Sequence, residues 1–202
     1  MKLYYSTGAC SMSPHIVLHE AGLPFEAVLA STKTKRLADG TDYYTINPKG
    51  SVPLLELDNG ERLSEGPAII QYIADQVPAK KLAPAAGTMA RYRLQEWLNY
   101  ITSDLHKGFS PLFSPTTPAE YKPTVSARLI DRLTIVDKAL AGKEFLMGDT
   151  FTVADAYLFT VAGWSKHVSL DISALTNLTA YLGRIAARPS VQQAMKAEGL
   201  LK

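Results

Sequence analysis

The sequence predicts a small α+β domain followed by an all-helical (all-α) domain, and three observations carry this. Over residues 1–77, short β-favouring runs alternate with two helical patterns and a hairpin signal. Residues 78–87 hold Pro78, Pro84, Gly87 and small side chains, a composition suited to an interdomain linker. Residues 88–202 show helical periodicity throughout.

Residues 3–5 read as a strand ended by Gly8. Pro14 fits the first turn of a helix, with Ser11 or Ser13 as its cap and Gly22 and Pro24 as its stop. Residues 25–29 form the second strand, and a helical crossover between two strands implies a parallel pair. Residues 32–44 are polar and basic and read mostly as loop. Asn47-Pro48-Lys49-Gly50 is a turn cluster, and Asp58-Asn59-Gly60 is a hairpin signal between runs 54–57 and 61–63. Ser64 is the expected N-cap of a helix over 65–76, with Ala68, Ile69, Tyr72 and Ile73 on its apolar side.

Past the linker, residues 88–107 read as a long helix with Trp97, Ile101 and Leu105 on one side, broken between Pro111 and Pro118. Residues 119–140 form the next helix, with Val125, Leu129, Leu133, Val136 and Leu140 as its seam. Thr152 followed by Asp155 is a capping-box variant opening a helix whose core residues are Tyr157, Leu158, Val161 and Trp164. Residues 175–187 and 189–197 are the last two helices.

With 47% hydrophobic and 20% charged residues in 202, the composition is that of a globular protein. A net charge of +2 without a Lys/Arg-rich run gives no case for nucleic acid or an acidic membrane as partner. One cysteine excludes an intramolecular disulfide framework and a multi-cysteine metal site, and points to a reducing compartment. Polar Ser6, Thr7 and Gly8 interrupt any secretory h-region, and the apolar block 156–164 is too short to span a bilayer. The expected location is cytoplasmic.

The lone Cys10 lies between a strand and a helix N-terminus, where backbone N–H groups and the helix dipole favour a thiolate. From position alone it is either a reactive thiol or a buried filler. Val52-Pro53 opens a strand, and a cis bond there would turn the Val52 N–H and C=O toward an extended peptide. Glu65-Gly66 lies at a helix start, where N–H groups suit a carboxylate and Glu65 suits an ammonium. Asn99, Ser103 and His106 at i, i+4, i+7 share a helix face, flanked by Asp104. His15, His19 and His167 have no evident partners, and no spacing suggests a metal site.

These features combine with specific strings: Gly8-Ala9-Cys10-Ser11, Asn47-Pro48-Lys49-Gly50, Glu96-Trp97-Leu98-Asn99-Tyr100, Leu105-His106-Lys107-Gly108-Phe109 and residues 151–157. Together, over essentially the whole chain, they resemble the cytosolic glutathione transferases, and in detail the bacterial beta class. The resemblance implies a thioredoxin-like N-terminal domain followed by the helical one. It implies glutathione as co-substrate, no metal, and small hydrophobic electrophiles as the other substrates. Cys10 would lie at the glutathione sulfur and His106 would assist catalysis there. Lys35 would pair with the glycyl carboxylate, and Val52, held by a cis-Pro53, with the cysteinyl backbone. Glu65 and Gly66 would hold the γ-glutamyl end. Asn99 and Asp104 would reach that end from the partner subunit of a homodimer, with Ser103 beside them. Thr152 and Asp155 would be a folding element. Many members carry Ser where this chain has Gly66, and a lost hydroxyl donor costs about 0.5–1.5 kcal/mol of binding.

Three activities remain open at this level. The first is conjugation of the glutathione thiolate to electrophiles, a detoxifying role. The second is glutathione-dependent thiol–disulfide or peroxidase chemistry with Cys10 as nucleophile. The third is non-catalytic carriage of hydrophobic ligands. The electrophile would lie near His106, Phe109, Phe113 and Trp164. Other classes of the resembled family activate the thiol with a Tyr or Ser near the end of the first strand; Tyr5, Ser6 and Ser11 are the candidates that this implies here, whereas the beta-class pattern points to Cys10.

Overall fold

A computed structural model describes residues 1–201. In chain order its regular elements are β1 (Lys2–Tyr5), α1 (Met12–Ala21), β2 (Glu26–Leu29), β3 (Leu54–Glu56), β4 (Arg62–Ser64) and α2 (Gly66–Gln76). Then follow α3 (Met89–Tyr100), α4 (Lys107–Phe113), α5 (Lys122–Leu140), α6 (Val153–Gly163), α7 (Thr176–Ala186) and α8 (Pro189–Ala197). They form two compact units, Met1–Ala83 together with the segment from Ala187, and Pro84–Ala186.

The first unit is built on a sheet of order β2-β1-β3-β4. β1 pairs with β2 in parallel, as the helical crossover requires, and with β3 antiparallel, so Leu3 faces Ala27 on one side and Leu55 on the other. Leu3, Leu55, Ile16, Leu18, Ile69, Ile70 and Ile73 are fully buried and make the core. The expected serine caps are not used as caps. Ser11 stands at the N-cap of α1, but its Oγ accepts from the Ser6 N–H at 3.0 Å and donates to the Ser6 carbonyl at 3.2 Å. Glu65, not Ser64, is the N-cap of α2, with φ of 74°.

The sequence places residues 189–197 in the helical domain, whereas α8 packs against α1 and belongs to the first unit. Polar contacts explain this. Arg188 and Ser190 hydrogen-bond Glu20. His15, expected to lack a partner, has Nδ1 2.8 Å from Glu198 Oε1, both side chains being buried. Glu198 Oε2 accepts from the Gly8 N–H at 2.9 Å. His19 stacks on His15 at 5.2 Å, and burial, then His15, pushes its pKa down.

In the second unit the predicted helix over 88–107 runs on to Phe113. Its middle, Ile101–His106, is π-helical, and Pro111 sits inside α4 at the cost of one ladder hydrogen bond. Leu94, Leu98, Ile101, Leu105 and Phe109 form its buried stripe. Trp97, expected in that stripe, is only half-buried and stands edge-on to Tyr100. The α5 seam of Val125, Leu129, Leu133, Val136 and Leu140 is buried as its spacing predicts. Gly108 lets the α4 stretch approach α5, since a Cβ there would fall 2.9 Å from Leu129 Cδ2. α6 is buried on nearly every side.

A capping box opens α6. Asp155 Oδ2 accepts from the Thr152 N–H at 2.8 Å and from Thr152 Oγ1 at 3.0 Å. Its Oδ1 accepts from the Leu146 N–H at 2.8 Å and from the Tyr181 hydroxyl at 2.9 Å. Burial pushes the Asp155 carboxyl pKa up against these donors, and pushes the Tyr181 phenol up as well. Asp155→Ala strands buried donors on three residues at once. Urea unfolding of this variant is expected to show a loss of about 3–5 kcal/mol. A loss below about 1 kcal/mol would deny Asp155 this linking role.

Candidate functional site

In the first unit the loop after β1 carries Cys10. The Ser13 N–H and Oγ both donate to the Cys10 carbonyl, at 3.2 and 2.9 Å, fixing the loop to the start of α1. The half-buried Cys10 thiol donates to the Val52 carbonyl, Sγ–O 3.3 Å. Burial pushes its pKa up to about 11. The backbone N–H groups of Cys10 and Ser11 pull the other way, and Glu65's charge adds to the rise. Of the two influences on this thiol, desolvation outweighs the nearby N–H groups that favour a thiolate. Ser11, an alternative activator, has its hydroxyl engaged by Ser6.

The Val52–Pro53 peptide is cis. Val52 packs with Tyr4, Ala30, Tyr43 and Leu54. The Tyr43 hydroxyl and Asn47 Nδ2 both donate to the Ser51 carbonyl, at 3.0 and 2.7 Å, and hold the turn that precedes it. Gly50 is required here: its φ is +59°, and a Cβ would fall 2.5 Å from the Tyr44 ring. Lys35, itself at φ 56°, donates from Nζ to the Gly50 carbonyl at 2.7 Å.

Glu65 is paired with Lys49, Nζ–Oε1 2.6 Å, and Lys49 also donates to Ser64 Oγ at 2.9 Å. Sequence reasoning read Lys49 only as part of a turn. A cation and an acid 16 positions apart, with the β3–β4 hairpin between them, leave no periodic signal. Gly66 begins α2, and a Cβ there would meet nothing closer than Pro53 Cγ at 3.9 Å and Ser13 Oγ at 4.0 Å. The missing side chain is therefore not dictated by lack of room.

In the second unit the expected stripe of Asn99, Ser103 and His106 does not stay on one face. The π-helical segment widens the turn, so i, i+4, i+7 spacing no longer aligns. Asn99 and Ser103 are exposed, with Ser103 Oγ 3.0 Å from the Asn99 carbonyl and 2.8 Å from Asp104 Oδ2. Asp104 is held by Arg132, Nε–Oδ1 2.8 Å. That bond and the one from Ser103 keep its carboxyl below the usual range. Asp104, Lys107, Arg128 and Arg132 line a groove of about 290 Å³ between this segment and α5.

His106 points elsewhere. Its Nδ1 lies 2.7 Å from the Tyr157 hydroxyl, and its ring stands edge-on to Trp164 at 4.9 Å. Phe109 and Phe113 also meet Trp164 edge-on, at 5.9 and 5.6 Å. Phe109 and Trp164 are buried and Phe113 is exposed, so the aromatic group has one open end. The sequence treats Tyr157 as core only. It is buried, but its hydroxyl serves His106. Thr152 and Asp155 are buried in their capping box.

Among the described residues no cluster of three His, Cys, Asp or Glu side chains could hold a metal ion, and no helix is long and apolar enough to cross a membrane. Because its folded pKa is raised, the Cys10 thiol contributes stability below the unfolded value that is lost as pH rises through about 11. Alkylation by iodoacetamide, followed by intact mass, is expected to be slow at neutral pH. Its rate should rise toward a midpoint of about 11. The urea-unfolded chain should titrate near about 8.5. A folded-state midpoint below the unfolded one would mean a stabilised thiolate instead.

Two family models match the chain: "Glutathione S-transferase, N-terminal domain" over residues 7–76 and "Glutathione S-transferase, C-terminal domain" over residues 100–189. The chain is 50% identical over 200 residues to glutathione S-transferase GstA of Escherichia coli O157:H7, covering 99% of this chain and 100% of that protein. Its structure is similar to that of a sphingomonad glutathione S-transferase complexed with glutathione, with 48% identity, TM-score 0.95 and full coverage, 100%, of both chains. It is equally similar to a bacterial beta class glutathione S-transferase of Sphingomonas chungbukensis, with 51% identity, TM-score 0.96 and 100% coverage of both. With both of its units matched by family models and half of its residues shared with a curated transferase along the whole length, this chain belongs to the glutathione S-transferase family.

Proposed function

We propose that this enzyme conjugates the thiolate of glutathione to small hydrophobic electrophiles, as a cytoplasmic homodimer with a detoxifying role. The observation that carries this is the 3.3 Å contact of Cys10 Sγ with the Val52 carbonyl beside cis-Pro53. It sets the only thiol of the chain on the backbone atom that would pair with the cysteinyl residue of an extended tripeptide. The sphingomonad relative complexed with glutathione supports the same ligand.

In this reading Lys35 would meet the glycyl carboxylate and Val52 the cysteinyl backbone. Glu65, with the N–H groups at Gly66, would take the γ-glutamyl end, Lys49 yielding or sharing its carboxylate. Asn99, Ser103 and the ionised Asp104 of a second copy would complete that end. The sulfur's electron pair forms the new C–S bond while the leaving group departs with its own. His106 would assist at the sulfur, and the electrophile would rest on the open end of the Phe113 and Trp164 group. Cys10, still a thiol at neutral pH, would turn its S–H from Val52 to the glutathione sulfur as a weak donor. A thiol with so high a pKa is a poor nucleophile at neutral pH, which favours conjugation over Cys10 redox chemistry.

Cys10→Ala separates the two chemistries. Conjugation of an aryl halide, read by absorbance, should fall only about three- to tenfold, as suits one weak donor. Exchange with a glutathione mixed disulfide should fall to background. Loss of conjugation in a folded Cys10→Ala protein would overturn the assignment of the glutathione sulfur as sole nucleophile.

Sedimentation velocity should show a dimer. Asp104→Ala should raise the KM for glutathione about 10- to 100-fold, the worth of one charge-assisted bond, with kcat little changed. A monomer that binds glutathione with full affinity would rule out a shared site.

A further inference from the structure

Within the first unit, residues 49–52 already meet each group assigned to a pole of the tripeptide. Lys49 Nζ lies 2.6 Å from Glu65 Oε1. Lys35 Nζ donates to the Gly50 carbonyl at 2.7 Å, and the Cys10 thiol donates to the Val52 carbonyl at 3.3 Å. These last two contacts need not be given up when a ligand arrives. An ammonium has three donors and a carbonyl two lone pairs, so Lys35 and Val52 keep capacity to spare. The contact at Glu65 is of another kind, because there the chain presents the same group that the ligand would, a primary ammonium. Ser64 Oγ also accepts from Lys49 Nζ, at 2.9 Å, and the Lys49 backbone N–H donates to Asn47 Oδ1 at 3.1 Å. The lysine is thus directed at Glu65 from both ends. Both side chains of the pair are more than half exposed, so it is open to exchange with a solute and has the strength of a surface ion pair.

We propose that Lys49 is a specificity-determining residue that competes, from within the chain, for the place on Glu65 that the α-ammonium of a γ-glutamyl peptide takes. This rests on the reading above in which Glu65 receives that ammonium. The ligand ammonium either displaces Lys49 from Oε1 or settles on Oε2 beside it. Displacement breaks the Lys49 pair, and settling beside it sets two like charges on one carboxylate, so in both cases Lys49 lowers the affinity. A ligand without an α-ammonium meets the opposite situation. Lys49 then stays on Glu65 and neutralises a carboxylate that would otherwise face the ligand's own α-carboxylate at the Gly66 N–H. Lys49 therefore narrows the difference in affinity between γ-glutamyl peptides and their counterparts that lack the ammonium. A lysine turned instead to the α-carboxylate would aid both ligands alike.

Calorimetric titration with glutathione and with glutaryl-cysteinylglycine, its analogue lacking only the α-ammonium, tests this. The proteins are the wild type, Lys49→Met, Glu65→Gln and the double variant. Lys49→Met should tighten glutathione about two- to fivefold, the worth of one exposed ion pair, and should not tighten the analogue. The preference for glutathione over the analogue should therefore rise about two- to tenfold. In the Glu65→Gln background, Lys49→Met should leave that preference where it is, because the carboxylate for which the two ammonium groups compete is gone. An unchanged preference in Lys49→Met would overturn the proposal, and weaker binding of both ligands would then assign Lys49 to the α-carboxylate. The underlying reading has its own readout in the single Glu65→Gln variant. There the preference for glutathione should fall; if it does not, Glu65 does not receive the ammonium, and the proposal fails with that reading whatever Lys49→Met shows.

Discussion

A buried carboxylate must be paired, and each unit of this chain is arranged around one that is. In the second unit Asp155 gathers donors from Leu146, Thr152 and Tyr181 and so fixes where α6 begins. Tyr157 follows two residues later in α6, and its hydroxyl in turn meets His106. In the first unit Glu198 joins His15 to the Gly8 N–H, in the loop that also carries Cys10. In both units a buried carboxylate anchors the segment next to a candidate site residue.

The same shortage of water governs Cys10. A helix start supplies N–H groups and a favourable dipole, but these act on a thiol already withdrawn from solvent. The balance leaves Cys10 protonated at neutral pH and donating to Val52. Asp104 shows the opposite outcome: with Arg132 and Ser103 as donors and solvent near, its charge is retained. Position in a motif does not settle an ionisation state; the surroundings of the sulfur or oxygen do.

The periodic features were legible in the sequence. The α5 seam follows from spacing of three and four, and the hairpin from Asp58-Asn59-Gly60 between apolar runs. The parallel β1–β2 pair follows from the helical crossover. Contacts that no local pattern encodes were not legible. The amphipathic stretch 189–197 announces a buried face but not which unit covers it, and Glu198 meets His15 across 183 positions. The π-helical turn at Ile101–His106 contains no Gly or Pro, so no breaker in it distinguishes a wide turn from a normal one. That turn parts His106 from Asn99 and Ser103, which spacing had aligned. Lys49 beside Glu65, and Tyr157 beside His106, appear only once the backbone brings them together.

The return of the chain to its first unit also bears on the order of its biosynthesis. Domains commonly fold N-terminal first as they leave the ribosome. Here the carboxylate that reaches Gly8 lies 190 positions further on. The sheet of the first unit can pair long before that, but the loop bearing Cys10 gains its last anchor only after the whole helical unit has been translated. The cysteine segment, among the earliest residues made, is thus among the last to be set.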